Sequence, residues 1–111
     1  MQIGTVRAGD RDVPVQIGTY ADGKFCVMLG TYYDRYGMLS INTDDELGAT
    51  EFVINHDMRE PVLGRVLDMG TFEDTGKRVD YGYVKGQAVW QLTIEHAEAW
   101  AKARPEDKEW I

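Results

Sequence analysis

Three features of the chain predict an α+β fold. Apolar residues alternate with a period of two over 13–20 and fill β-rich runs after it, and later they recur at helical spacing in two stretches. The connections between the strand-like runs are too short for parallel crossovers. The expected architecture is an antiparallel sheet of five to six strands with two short helices, about 58–69 and 94–104, packed on it.

The front half reads as strands. In 13–20, Val13, Val15, Ile17 and Thr19 alternate with Pro14, Gln16 and Gly18. An Asp-Gly turn at 21–24 leads into the β-rich run 25–29. A third strand covers 36–42, followed by the polar turn NTDDELG, and a fourth covers 51–55. After Asn55 the period changes. Met58, Val62, Val66 and Met69, with Leu63 and Leu67, fall on one helical face, and Gly70 stands where a helix-ending glycine belongs. Asp57 suits an N-cap and Pro61 a first helical position, so either can start this helix. Runs 78–84 and 88–93 then form a hairpin across Lys85-Gly86-Gln87. Ile94, Ala97, Trp100 and Ala101 share one face of the last helix, which Pro105 ends.

The 111 residues form a single domain, 1–111, with a charged tail over 105–111 that includes Trp110. An apolar fraction of 43% suits a globular chain. No segment has the length of a transmembrane helix and no apolar signal core opens the chain, so no membrane contact is expected. Cys26, in the run FCVML, reads as a buried small hydrophobe, and a single cysteine excludes a disulfide framework. A cytoplasmic location is expected. Nineteen acidic residues against twelve basic ones give a net charge of −7. The basic residues are scattered, so direct binding of nucleic acid is not expected. The acidity serves solubility, or it complements a basic partner.

No motif announces a chemistry. GTFEDTGKR, 70–78, has the outline of a phosphate-binding loop, yet five residues rather than four separate Gly70 from Gly76. Arg78 replaces the hydroxyl that would bind magnesium, and Glu73 and Asp74 bring negative charge where phosphates sit. A polar turn into a strand is the better reading, and no cofactor is expected. For metals, His56-Asp57 and His96 lie far apart, and NTDDELGATE places its glycine and Glu51 off the calcium-loop spacing. The single serine, Ser40, lies within a strand, and neither it nor Cys26 stands in a nucleophile motif. No catalytic residue is assigned.

TYYDRY, 31–36, is the most unusual stretch: three tyrosines surround Asp34-Arg35 between two strands. Tyrosine and arginine are enriched at binding hot spots. The alternative is that Tyr32 and Tyr36 lean on the sheet. The 42–51 segment carries four carboxylates and no basic residue, so its field is expected to be locally unopposed. Tyr32, Tyr33, Tyr36, Asp44, Asp45 and Glu46 are therefore the expected partner-binding residues, in two groups about 20 Å apart along one strand.

The order TYADGKFCVML, YGMLSINTDDEL, EFVINHDM, VLGRVLDMG, the TG of EDTGKRV and YGYVKGQAVWQL resembles a family of small phage, plasmid and mobile-element proteins defined only as a domain of unknown function. The resemblance covers about residues 17–92, with Asn55-His56 where that pattern has paired asparagines. It implies a non-enzymatic accessory protein in the bacterial host cytoplasm that binds a host protein with a basic surface, such as a CRISPR or restriction nuclease. A small ligand-binding module or an enzyme with an unrecognised pocket is the alternative. Self-association is open.

Overall fold

The computed structural model describes residues 1–108. Eight strands form two four-stranded antiparallel sheets: β1 (Gln2–Ala8), β2 (Arg11–Thr19), β3 (Phe25–Gly30) and β4 (Arg35–Met38) in order β1-β2-β3-β4, and β5 (Ser40–Ile41), β6 (Glu51–Ile54), β7 (Phe72–Tyr81) and β8 (Val84–Leu92) in order β5-β6-β8-β7. Helices α1 (Val62–Asp68), α2 (Ile94–Lys102) and the single turn α3 (Pro105–Lys108) complete an α+β fold.

The strand expected over 36–42 divides at Leu39, which lies between β4 and β5 and bonds toward both sheets. Its N–H donates to the Val27 carbonyl of the first sheet (3.0 Å), and its own carbonyl accepts from Asn55 N–H beside the second (2.8 Å). Ser40 follows, buried, with its Oγ accepting from Val27 N–H at 3.0 Å and lying 2.6 Å from the Tyr20 hydroxyl. The single serine of the chain is thus a cross-link between strands, satisfied as a buried hydroxyl must be.

Between the sheets lies one core. Val13, Val15 and Ile17 of β2 and Phe25, Val27 and Leu29 of β3 meet Phe52 and Ile54 of β6, Phe72 of β7 and Trp90 and Leu92 of β8. The period-two alternation puts these residues on one face of each strand. Val62 and Val66 bring α1 into this core, and Trp100 brings α2.

Several boundaries differ from expectation for identifiable reasons. The N-terminal residues 2–8, whose glycine-interrupted pattern is weak, form β1 and pair with β2. Helix α1 starts at Val62 after N-cap Pro61, not at Asp57, because Asn55 organises a separate turn. Its carbonyl accepts from Met58 N–H (3.0 Å) and its side-chain oxygen from Asp57 N–H (3.1 Å). The hairpin turns at Gly82-Tyr83 rather than Lys85-Gly86-Gln87, since Tyr81 pairs directly with Val84. Gly82, at φ +56, supplies the positive first position that a two-residue hairpin favours. The 70–78 turn is a bulge inside β7, between Asp74 opposite Trp90 and Arg78 opposite Ala88. Ile94 is 74% exposed, so α2 buries a narrower stripe than its apolar spacing suggests. Residues 105–108 of the expected tail form α3, where Lys108 lies 5.0 Å over the Trp100 ring. Trp110 lies outside the described residues.

Candidate functional site

The two groups of expected binding residues stand at opposite ends of β2. At its start, Arg11 pairs with Asp34 of the tyrosine loop (2.8 Å). Beyond its other end, Asp22 accepts from the Asn42 amide next to the acidic turn (2.9 Å). Nine residues of strand separate these contacts, roughly 26 Å of extended chain.

The tyrosine loop is tied down while its rings stand in water. Thr31 N–H donates to the Asp34 carbonyl (3.1 Å), and Asp34 N–H donates to Thr31 Oγ1 (3.0 Å). The Gln16 amide anchors the Gly30 carbonyl at 2.8 Å. Tyr33 is 95% exposed, Tyr32 and Tyr36 are about half exposed, and the rings of Tyr32 and Tyr33 meet edge to face at 5.1 Å. The expectation that Tyr32 and Tyr36 lean on the sheet describes them only in part.

Five arginines scattered in sequence come to this end: Arg7 and Arg11 flank the β1–β2 turn, Arg35 opens β4, and Arg59 and Arg65 line a cleft with Tyr36. The cleft holds about 590 Å³ between β4, the 55–61 segment and α1, with Met38 and Met58 among its apolar walls. Sequence spacing gave no sign of this convergence, because each arginine arrives on a different element.

The acidic end is less bare than its sequence suggests. Asp44 and Glu46 are exposed, but Asp45 is half-buried and accepts from Thr43 Oγ1 at 2.8 Å. The Lys24 ammonium donates to the carbonyls of Thr43 and Asp45, so the field of this turn is opposed from below. Glu51, the fourth carboxylate of the segment, lies on the face of β6 opposite Phe52 and is 9% exposed. Its oxygens accept from Lys77 Nζ at 2.9 and 2.8 Å and from Gly48 N–H at 2.7 Å. Lys77, the lysine of the apparent phosphate loop, is thereby engaged in a structural pair. Asp44 and Asp45 also share a groove of about 430 Å³ with Asp80, Tyr81 and Gly82 of the β7–β8 hairpin.

The Lys77 ammonium, then the Gly48 amide, hold the Glu51 carboxyl below its ordinary range. Arg78, then the Gly76 amide, do the same for Asp74. Asp22 is lowered by its hydrogen bond from Asn42 and then by Lys24 N–H. Lowered native values mean that these groups stabilise the fold fully above the unfolded range, about pH 4, and lose that contribution as pH falls through the native values. Chemical unfolding followed from pH 7 to pH 2 should therefore show stability falling below about pH 4. Glu51→Gln should cost about 1–3 kcal/mol at pH 7 and flatten part of that acid limb. An unchanged acid limb in this variant would count against the Glu51–Lys77 pair as its source.

Among the described residues, no group of three or more His, Cys, Asp or Glu side chains is placed to hold a metal ion, and no helix is long and apolar enough to cross a membrane. Fold and surface together define a small α+β protein of two antiparallel sheets, with a tyrosine-arginine end and an acidic end. Compared with protein-family models, curated proteins and solved structures, the chain matches none.

Proposed function

We propose that this chain is a non-enzymatic accessory protein of a phage or mobile element that binds a host protein in the bacterial cytoplasm and blocks a CRISPR or restriction defence. The family resemblance supplies the biological setting. The observation that carries the binding role is the tyrosine loop, where Tyr33 is almost wholly exposed on a loop whose backbone is held by Gln16 and its own hydrogen bonds and whose Asp34 side chain is held by Arg11. Displaying aromatic rings on an ordered loop lowers the entropy cost of association, which favours tight binding. The tyrosine loop acts as the anchor, and the net charge of −7 steers a basic partner surface toward the molecule.

The two roles separate in kinetics. Tyr33→Ala should weaken capture of the host partner by about thirtyfold or more, chiefly through faster dissociation. The triple variant Asp44→Lys, Asp45→Lys, Glu46→Lys should instead slow association and reduce its salt dependence. Partner capture from host lysate, identified by mass spectrometry and repeated with purified components, provides the measurement. If both variants fold and bind at wild-type strength with unchanged salt dependence, the anchor lies elsewhere.

A further inference from the structure

We infer that the cleft beside the tyrosine loop is a carboxylate site, taking an acidic side chain from a segment of the protein partner. The inference rests on the binding role proposed above and assigns the chemistry that this end recognises.

The cleft is unbalanced in hydrogen-bonding capacity. Arg59 lines it, and among the described residues no ion pair or hydrogen bond engages its guanidinium. Arg65 lines it too, held in place by one bond from Nη1 to the Arg7 carbonyl (3.1 Å). Each guanidinium offers five N–H donors in a fixed fork, so most of the donors here lack an acceptor among the described residues. Neither of the two carboxylates of the cleft pairs with these arginines. Asp57 lies 3.3 Å from His56 Nε2, and Glu60 accepts from Gly64 N–H at 3.0 Å. The Asn55 amide is likewise committed, to the Met38 carbonyl (3.1 Å).

A planar acceptor with two oxygens matches what is missing. Arginine binds carboxylates in bidentate fashion, and Met38, Met58 and the Tyr36 ring supply apolar wall for the methylenes that carry such a group. The volume of about 590 Å³ suits a few residues of peptide. Nucleic acid fits less well. Asp57 and Glu60 stand in the cleft, Asp10, Asp12 and Asp34 flank the arginines outside it, and the chain carries −7 overall. A long polyanion meets that repulsion along its length, whereas a single carboxylate meets it only at Asp57 and Glu60, beside the two guanidinium forks. A partner that is basic overall and offers one acidic segment satisfies both ends of this molecule.

The test is an NMR titration of the ¹⁵N-labelled full chain with acetyl-Glu-Glu-Glu-amide, with acetyl-Lys-Lys-Lys-amide and inorganic phosphate as parallel arms. Saturable shifts at Arg59 Nε–H and at the amides of 36–38 and 57–60 are expected with the glutamate peptide alone. Arg59→Gln, on an exposed segment, should keep a folded spectrum and weaken the peptide about tenfold, and Arg59→Lys should restore only part of the loss because the fork is gone. Non-saturating shifts, an equal response to phosphate, or unchanged affinity in Arg59→Gln would overturn the inference. Capture of the host partner that depends on Tyr33, alongside absent peptide binding, overturns the carboxylate site alone. Peptide binding at Arg59 alongside capture indifferent to Tyr33 overturns the binding role proposed above instead.

Discussion

Phe52→Ala is expected to lower the unfolding free energy by about 3–5 kcal/mol, the range for removing a large aromatic side chain from a packed core. Phe52 is 1% exposed and stands at the junction of the two sheets. Its ring meets Phe25 of the first sheet at 5.8 Å, and Phe72 and Trp90 of the second at 5.3 and 6.4 Å, the last two edge to face. Trp90 lies directly across the β6–β8 ladder, and Phe25 carries the contact on to Trp100 of α2 at 5.3 Å. Truncation removes the ring's transfer free energy and leaves a cavity walled by rings attached to three different elements, which cannot all close on it. Domains of this size have about 5–15 kcal/mol to lose, so the variant should sit close to its unfolding threshold at 37 °C. Tyr83→Ala, at the fully exposed hairpin tip, is the control and should change stability by no more than about 0.5 kcal/mol. Urea titration with an unchanged slope reads both variants. A loss under about 1 kcal/mol in Phe52→Ala would mean that the two sheets are not held together through this residue.

Much of this architecture is legible in the sequence because burial imposes a period. Val13, Val15 and Ile17 face the core together and announce themselves by alternation, whereas Phe25, Val27 and Leu29 face it from a continuous apolar run that is buried throughout. The helix at 62–68 shows through Val62 and Val66 and through Gly70, whose φ of +77 ends it. What local pattern cannot carry is pairing between distant residues. Leu39 looks like the middle of one strand, and only its bonds to Val27 and Asn55 divide that strand between two sheets. The hairpin offers glycines at 82 and 86, and register decides between them: Gly82 makes the turn, while Gly86 N–H is held by the Asp80 carboxylate at 2.8 Å. The site divides in the same way. The tyrosine cluster is contiguous in sequence and legible there. Arg59 and Arg65 reach it from a loop and a helix, and Lys24 reaches the acidic turn from the β2–β3 connection, so their placement follows from tertiary folding alone.

Gly30→Ala is expected to cost about 2–3 kcal/mol and to distort the tyrosine loop while leaving the rest of the fold in place. Gly30 ends β3 at φ +105, where L side chains are strained, and the register slips between Leu29 and Gly30. A Cβ there would lie 2.5 Å from the Asp34 carbonyl oxygen, 2.6 Å from Tyr36 N and 3.0 Å from Arg35 Cα. All three are main-chain atoms, so no side-chain rotation relieves the clash and the 31–36 backbone itself must move. Gly76→Ala separates strain from collision. Its φ is +85, but a Cβ there meets nothing within 4 Å, so the cost should stay near 1 kcal/mol. The displacement at Gly30 falls on the loop that carries Tyr32 and Tyr33 and on the contact between Arg11 and Asp34. Amide shifts should therefore concentrate in 28–38 and at Arg11, and partner capture should weaken beyond the fraction unfolded. Wild-type stability in Gly30→Ala would show that the loop is soft. A soft loop would remove the preorganisation on which tight binding through its tyrosines depends.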